Sequence, residues 1–431
     1  TRGGFAQHDY APWTLLAPLP PFDPSHPHRI VLGPTSKPQR LIEKHDVFIV
    51  AARGGGPAIF EQNGNGTSFG NITIYTSGGP GIESDGSQAM TFDAVRVVPN
   101  EDQFRLVSTA AGGIELNNMS GPGTVVQNCT IVGAQDDSIA GNVTVPLVTA
   151  TATSLDQIQV TASSGSAVPQ NPVFFVNGTT GKTIGGPPTG KQYTLTPGTG
   201  SAFTVMPALS EKELSEFGTS VVYSWNQFAG ESNVIIRGNS VANSYLARGI
   251  AFAGVSGLEI TGNQVNGTQQ AGILVDANLV TREGGTTSNG PVNNTVITNN
   301  RLLSTNMGMS GVGPGMLGAI QIMGYSLYTD VLNKQLNQRA VVEGNTVGGT
   351  QRSGIWIGNV YGLSAANNRI MGYHAAGGDL GDGPHLNDGL LPYVRTGFSK
   401  PVLAWCVANP PGTVLDKTVF PMCHPDEPQN K

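Results

Sequence analysis

A chain of 431 residues with a net charge of −6, only 12% charged side chains and 59 glycines carries about half the usual charge density. Its regularly spaced Val, Ile and Leu exclude a disordered polymer. It has no run of about 20 apolar residues, which excludes a membrane-spanning helix. Its mild acidity gives no electrostatic footprint for nucleic acid.

Taken in chain order, residues 1–45 are rich in Pro and His and read as an extended lead-in. The chain opens on Thr1 with no apolar leader, as a mature or partial chain would. From 46 to 142 and again from 223 to 375, two strand patterns alternate. One reads NVIIRGNSV (233–241), GLEITGNQV (257–265), NTVITNNRL (294–302), RAVVEGNTV (339–347) and GLSAANNRI (362–370). Each places an Asn at 239, 263, 300, 345 or 368, and TVVQNCTIV (124–132) fits the same template with Asn128 in register. The other pattern reads GPGIES (79–84), AGGIEL (111–116), ARGIAF (247–252), AGILV (271–275), GAIQI (318–322) and SGIWI (353–357).

Two strand types per repeat of about 20–30 residues predict an all-β chain coiled as a right-handed parallel β-helix. One coil cannot bury its inward apolar stripe, but stacked coils bury one another's. Asn at a fixed corner is expected to adopt the left-handed conformation and to stack its amide on the next coil. The spacing fits neither leucine-rich repeats nor a propeller.

Residues 143–222 break the repeat with short alternating strands and Gly/Pro turns, and predict a small β-barrel or sandwich inserted into the coil. SEKELSEFG is the one convincing helical stretch. Residues 376–431 read as a C-terminal loop or cap, in which Cys406 and Cys423 could close a disulfide loop. Cys129 lies within a strand pattern and reads as a small buried apolar residue. Eight Asn-x-Ser/Thr sequons, at Asn65, Asn71, Asn118, Asn128, Asn142, Asn177, Asn266 and Asn293, lead us to expect a secreted glycoprotein.

The chemistry candidates centre on GAQDDSIAGN (133–142). Asp136 and Asp137 can be a solvated turn, a calcium ligand pair or an acid–base site. Calcium wants six or more oxygens, and no dense Asp cluster accompanies the pair. An inverting glycosidase needs two carboxyl groups about 6.5–9.5 Å apart. Neighbouring coils lie roughly 4.8 Å apart, so acids one or two coils apart on one face meet that requirement. Glu115 precedes Asp136 by one coil, and Glu83 and Asp85 by two. Arg248 could bind a sugar hydroxyl or a carboxylate, and Asn142 a substrate hydroxyl. Trp225 and Trp356 could stack on a sugar, although Trp356 in SGIWI suits packing. Asp276 reads as structural, and Glu83 as structural or as a substrate-binding residue. The seven His show no metal-ligand spacing, and no Gly-rich strand-to-helix loop suits a nucleotide, so neither metal nor cofactor is expected.

Five segments, DVFIVAARGGGPAIFEQ, ITIYTSGGPGIES, MTFDAVRVVP, GGIELNNMSGPGTVVQNCTIVGAQDDSIAGN and VIIRGNSVANSYLARGIAFAGVSGLEITGNQVNGTQQAGILV, together resemble the β-helix of glycoside hydrolase family 110, the exo-acting α-1,3-galactosidases. QDDSIA is also similar to the polygalacturonases of family 28, whose downstream Gly-His-Gly and Arg-Ile-Lys do not appear here. The family 110 resemblance implies a metal-free, inverting hydrolase of terminal α-galactosides. Asp136 and Asp137 would then supply the acid and a base, with Glu115 helping to position water. Both families place a further Asp about two dozen residues upstream, where this chain has Gly112. The family 110 pattern also tends to have His-Gly where Asn142 stands. The sequence therefore leaves two other readings open. One is a catalytically degraded β-helix that binds glycans or serves as an adhesin. The other is action on a uronate polymer as hydrolase, lyase or epimerase, for which 23 Lys and Arg are thinly spread.

Overall fold

The computed structural model describes residues 55–371 except 104, 120–122, 144, 147, 163–171, 179–182, 186–190, 225–232, 279–286, 289–291, 307–317, 327–329, 332–336, 351–352 and 359. It also describes the short strands Trp13–Leu15, Leu32–Pro34, His385–Asn387 and Val414–Leu415. The expectations for Trp225, for the Cys406–Cys423 pair and for most of the lead-in and cap lie outside the described residues.

The repeats form a parallel β-helix. Three sheets run its length, of nine, eight and ten strands, and neighbours within each are separated in sequence by one coil, with an insertion added once in each sheet. Each sheet is parallel along that path, with one antiparallel strand, Asp330–Val331, paired to the edge of Gly318–Ser326. The second sequence pattern forms the ten-stranded sheet, in which Ile82, Ile114, Ile139, Ile250, Ile273, Ile320 and Ile355 are paired one onto the next. All seven are fully buried. Each such side chain contributes about 1.5–3 kcal/mol through burial, and none could be buried by its own coil alone.

The first sequence pattern turns the corner between the nine- and eight-stranded sheets. Asn239, Asn263, Asn300, Asn345 and Asn368 form a buried ladder. Each Nδ2 donates to the next Oδ1 at 2.9–3.0 Å, and the backbone N–H donates to the same oxygen. The left-handed residue is not the ladder Asn, as expected, but the residue before it. Positive φ falls on Asn71, Ala94, Asn128, Gly238, Gly262, Asn299, Gly344 and Asn367. The reason is steric, since the corner needs one residue with φ > 0, and Asn and Gly tolerate that best. The ladder amide then points into the coil.

The same geometry corrects the register of the earlier repeat. The partner of Asn239 is Cys129, because Thr130 pairs with Ser240, and Asn128 is the left-handed residue. Cys129 N–H donates to Asn239 Oδ1 at 2.9 Å. Its thiol faces two carbonyl oxygens, Gln127 O at 3.2 Å and Phe92 O at 3.7 Å, the second matching the Val126 O that accepts from Asn239 Nδ2 one coil on. Burial pushes the thiol up to about 11, offset in part by the Val95 backbone. Cys129 is therefore buried, as expected, and also terminates the ladder. We predict that Cys129→Asn extends it by one rung and raises stability by about 0.5–1.5 kcal/mol. Thermal unfolding checks this, and a lowered Tm would refute it.

Between Ile139–Asn142 and Val234–Arg237 the chain leaves the coil. Val173–Asn177, Thr219–Ser224, Val148–Ala152, Gln157–Ala162, Ala202–Met206 and Thr194–Pro197 pair in that antiparallel order. Tyr193 closes the ring against Val173 through backbone hydrogen bonds of 2.7 and 2.9 Å. The result is a small barrel. Helix Glu211–Phe217, the predicted helical stretch, begins with a capping box from Ser210 and Glu213 and buries Phe217 against Phe175. Along Val173–Asn177 both faces are buried. Val173 and Phe175 enter the barrel core, while Phe174 and Val176 join the core of the β-helix.

Candidate active site

The outer face of the ten-stranded sheet carries the candidate residues, because strand alternation puts every second side chain outside the coil. One outward row reads Phe60, Glu83, Glu115, Ala140, Ala251, Leu274, Gln321 and Trp356, each paired with the next. The row beside it reads Gln62, Asp85, Asn117, Asn142, Ala253, Asp276 and Met323. The rows change character along the coil. Carboxylates and amides occupy the early strands, small alanines the middle, and the later strands are buried and mostly apolar, with Asp276 and Gln321 among them. There Leu274, Met323 and Trp356 pack with Ala251 and Ala271. Trp356 is only 2% exposed, so it packs and offers no face to a sugar.

Asp136 and Asp137 lie in the turn that leads into Ile139–Asn142. Asp136 N–H donates to Ala111 O of the preceding coil, and Asp137 O accepts from Gly113 N–H. Arg248 lies one coil later and takes both oxygens of Asp137. Its Nε reaches Oδ1 at 2.7 Å, its Nη2 reaches Oδ2 at 2.6 Å, and its backbone N–H donates to Oδ1 at 2.9 Å. Burial works against the guanidinium charge, but Asp137, then Asp276 and Asp136, more than offset it and push the Arg248 pKa up. Of the two partners expected for Arg248, a sugar hydroxyl or a carboxylate, its fork holds a carboxylate, that of Asp137. Asp137 is equally engaged, with both carboxylate oxygens on Arg248. Asp136 Oδ1 accepts from Asp137 N–H at 3.1 Å.

Glu115 sits at the centre of the cluster. Its Oε1 accepts from Gly112 N–H at 2.9 Å, so the side chain folds back toward the aspartate turn. A Cβ on residue 112 would come within 2.5 Å of that oxygen and 2.8 Å of Asp137 O. The Glu115 carboxylate therefore occupies the space in which a side chain at 112 would stand. Burial raises the Glu115 pKa to about 7; the Gly112 N–H opposes this, and the charges of Asp136, Glu83 and Asp137 add to it. A carboxyl group that keeps its proton near neutrality, beside a second carboxylate, is the pattern of an acid–base pair.

Glu83 pairs directly with Glu115 across the strands, but its Oε1 is held from the other side by Asn117 Nδ2 at 3.2 Å. Asn142 Nδ2 in turn donates to Asn117 Oδ1 at 2.8 Å, so Asn142 reaches the cluster through a relay of amides. Sequence reasoning missed Asn117, whose only signal was its place two residues past Glu115 on the same outward face. Asp276, read as structural, acts through its charge on Arg248. Among the described residues, no group of three or more His, Cys, Asp or Glu is arranged to hold a metal ion. Among them, too, no helix is long and apolar enough to cross a membrane.

No family model matches the chain, and no curated protein matches it by sequence. Among solved structures it is similar to the A-module of the Azotobacter vinelandii mannuronan C-5 epimerase AlgE4, with 10% identity over 75% of this chain and 56% of that one and a TM-score of 0.38. It is also similar to a mutant of the periplasmic alginate epimerase AlgG, with 10% identity over 72% and 54% and a TM-score of 0.34. A third is the catalytic unit of a GH87 α-1,3-glucanase from Streptomyces thermodiastaticus, with 10% identity over 72% and 45% and a TM-score of 0.32. The chain spans about half the length of these proteins.

Proposed function

We propose that this β-helix is a glycoside hydrolase acting on a neutral glycan, with Glu115 as general acid and Asp136 as the base that activates water. The observation that carries the reading is Glu115 itself, a largely buried carboxyl with its pKa lifted to about 7 beside Asp136. Proton donation to a leaving glycosidic oxygen needs such a group. Asp137 and Arg248 serve as a positioning pair that fixes the turn carrying Asp136. This shares the work differently from the sequence expectation, in which Asp136 and Asp137 were acid and base. The terminal α-galactoside as substrate, and inversion as outcome, rest on the resemblance to family 110. Export and glycosylation rest on the sequons.

Charge argues against a uronate polymer. Glu83, Asp85 and Asp136 surround Glu115, and a cation beside them among the described residues, Arg248, is engaged by Asp137. An anionic chain would meet repulsion there. A second reading, a degraded β-helix that only binds glycans, is favoured by the glycine at 112.

The test is product release from a panel of terminal α-galactosides, neutral α-glucans and polygalacturonate, followed by NMR of the anomer first formed. We predict release from a neutral substrate and at least a hundredfold loss in Asp136→Asn. Uronate oligomers as the product would sink the proposal. Binding without turnover by the folded parent would move it to the glycan-binding reading.

A further inference from the structure

We infer that Phe60 is a sugar-stacking platform and that the ligand is an extended neutral oligosaccharide laid across the strands, not a terminal sugar alone. This inference rests on the proposed site at Glu115.

The strand Ile59–Gln62 alternates in burial, with Ile59 and Glu61 turned toward the coil and Phe60 and Gln62 exposed. Glu61 shows that the alternation is firm, because its carboxylate accepts from Ser84 Oγ at 2.7 Å and from Ser87 inside the coil. Phe60 is therefore driven outward, where 54% of it is exposed. Its register is what matters. Phe60 pairs with Glu83, and Glu83 with Glu115, so the ring stands two strand spacings, roughly 10 Å, from the proposed acid in the same outward row. The spacing of neighbouring strands is close to the length of one sugar in a glycan chain. A sugar bonded to one cleaved at Glu115 falls near Glu83, and the next falls on Phe60.

The surroundings suit that occupant. An aromatic face takes the apolar C–H face of a pyranose. Beside it, Gln62, Glu83 and Asp85 offer acceptors for the equatorial hydroxyls. Those carboxylates would repel a carboxylated sugar, so the ligand is neutral. At the other end of the row the apolar packing of Leu274, Met323 and Trp356 is closed, so the chain extends from Glu115 toward Phe60.

The experiment uses the full chain and neutral α-linked gluco- and galacto-oligosaccharides of two to six units. Initial rates are measured for the parent, Phe60→Ala and Phe60→Trp, together with affinities by calorimetry on an Asp136→Asn background. We expect the advantage of five- and six-unit chains over the disaccharide to fall about tenfold in kcat/KM in Phe60→Ala, mostly through KM. Phe60→Trp should restore it. An unaltered length dependence in Phe60→Ala overturns the platform even if hydrolysis is confirmed. If the parent binds long chains without cleaving them, and Phe60→Ala loses that affinity, the platform stands while the hydrolase reading fails. If the parent neither cleaves nor binds any of them, both fail.

Discussion

Glu115→Gln should lose about a hundred- to ten-thousandfold in turnover and, above neutral pH, should unfold less readily than the parent. Both effects come from one cause. In the folded chain the Glu115 carboxyl holds its proton up to about pH 7, because burial and then the neighbouring acids disfavour its charge. In the unfolded chain it loses that proton at the ordinary value of 4.5. Between those values the folded state binds more protons than the unfolded one, so stability falls as pH rises from about 4.5 to about 7. At about 1.4 kcal/mol per pKa unit, the ceiling of this loss is about 3 kcal/mol, and partial solvent contact brings it to about 1–2 kcal/mol. Glutamine keeps the acceptor for Gly112 N–H and carries no charge. The variant should therefore match the parent at pH 4 and exceed it at pH 8. In the parent, kcat should decline above pH 7 as the acid ionises. Denaturant melts at the two pH values and a pH–rate profile measure both. Equal stability at pH 8 would mean that Glu115 is not held protonated, and the acid would have to be sought elsewhere.

The coil was legible because its physics is periodic. Isoleucines at one point of each repeat announce an inward stripe, and Asn at another announces a ladder. Both follow from stacking like on like. What the pattern could not give was the phase within a corner. Asn128 and Cys129 are adjacent, and either could stand for the ladder residue until the partner of Ser240 is known. The site divides the same way. Asp136, Asp137 and Glu115 were marked by residue type and by spacing of about one coil, and Arg248 by its place in a segment that resembles family 110. Their roles were not, because a role depends on which oxygen meets which donor. Nothing in the letters of LARGIAF says that Arg248 turns back to Asp137, or that Gly112 makes room for Glu115. Phe60 was hidden for another reason: a lone aromatic in a first strand acquires meaning only from the strands that pair beside it.

The ion pair makes the second large prediction. Arg248→Met should destabilise the fold by about 2–4 kcal/mol, a little under the usual result of stripping one partner from a buried pair, because the Arg248 side chain is 24% exposed. Asp137 is 8% exposed, and the guanidinium supplies two of its short hydrogen bonds. Without them the carboxylate stays buried, and the backbone N–H of residue 248 remains to donate to it. The companion Arg248→Met/Asp137→Asn removes the charge with its partner and should recover most of the stability. Turnover separates positioning from acid–base work. If Asp137 only holds the turn, the double variant keeps the pH profile set by Glu115 and loses rate evenly across it. If Asp137 moves a proton, a limb of the profile vanishes with it, and the division of labour between the adjacent aspartates reverts to the one their sequence suggested. A deficit in Arg248→Met below about 1 kcal/mol would place the pair in solvent, where an ion pair is worth little, and would remove the reason for excluding Asp137 from the chemistry.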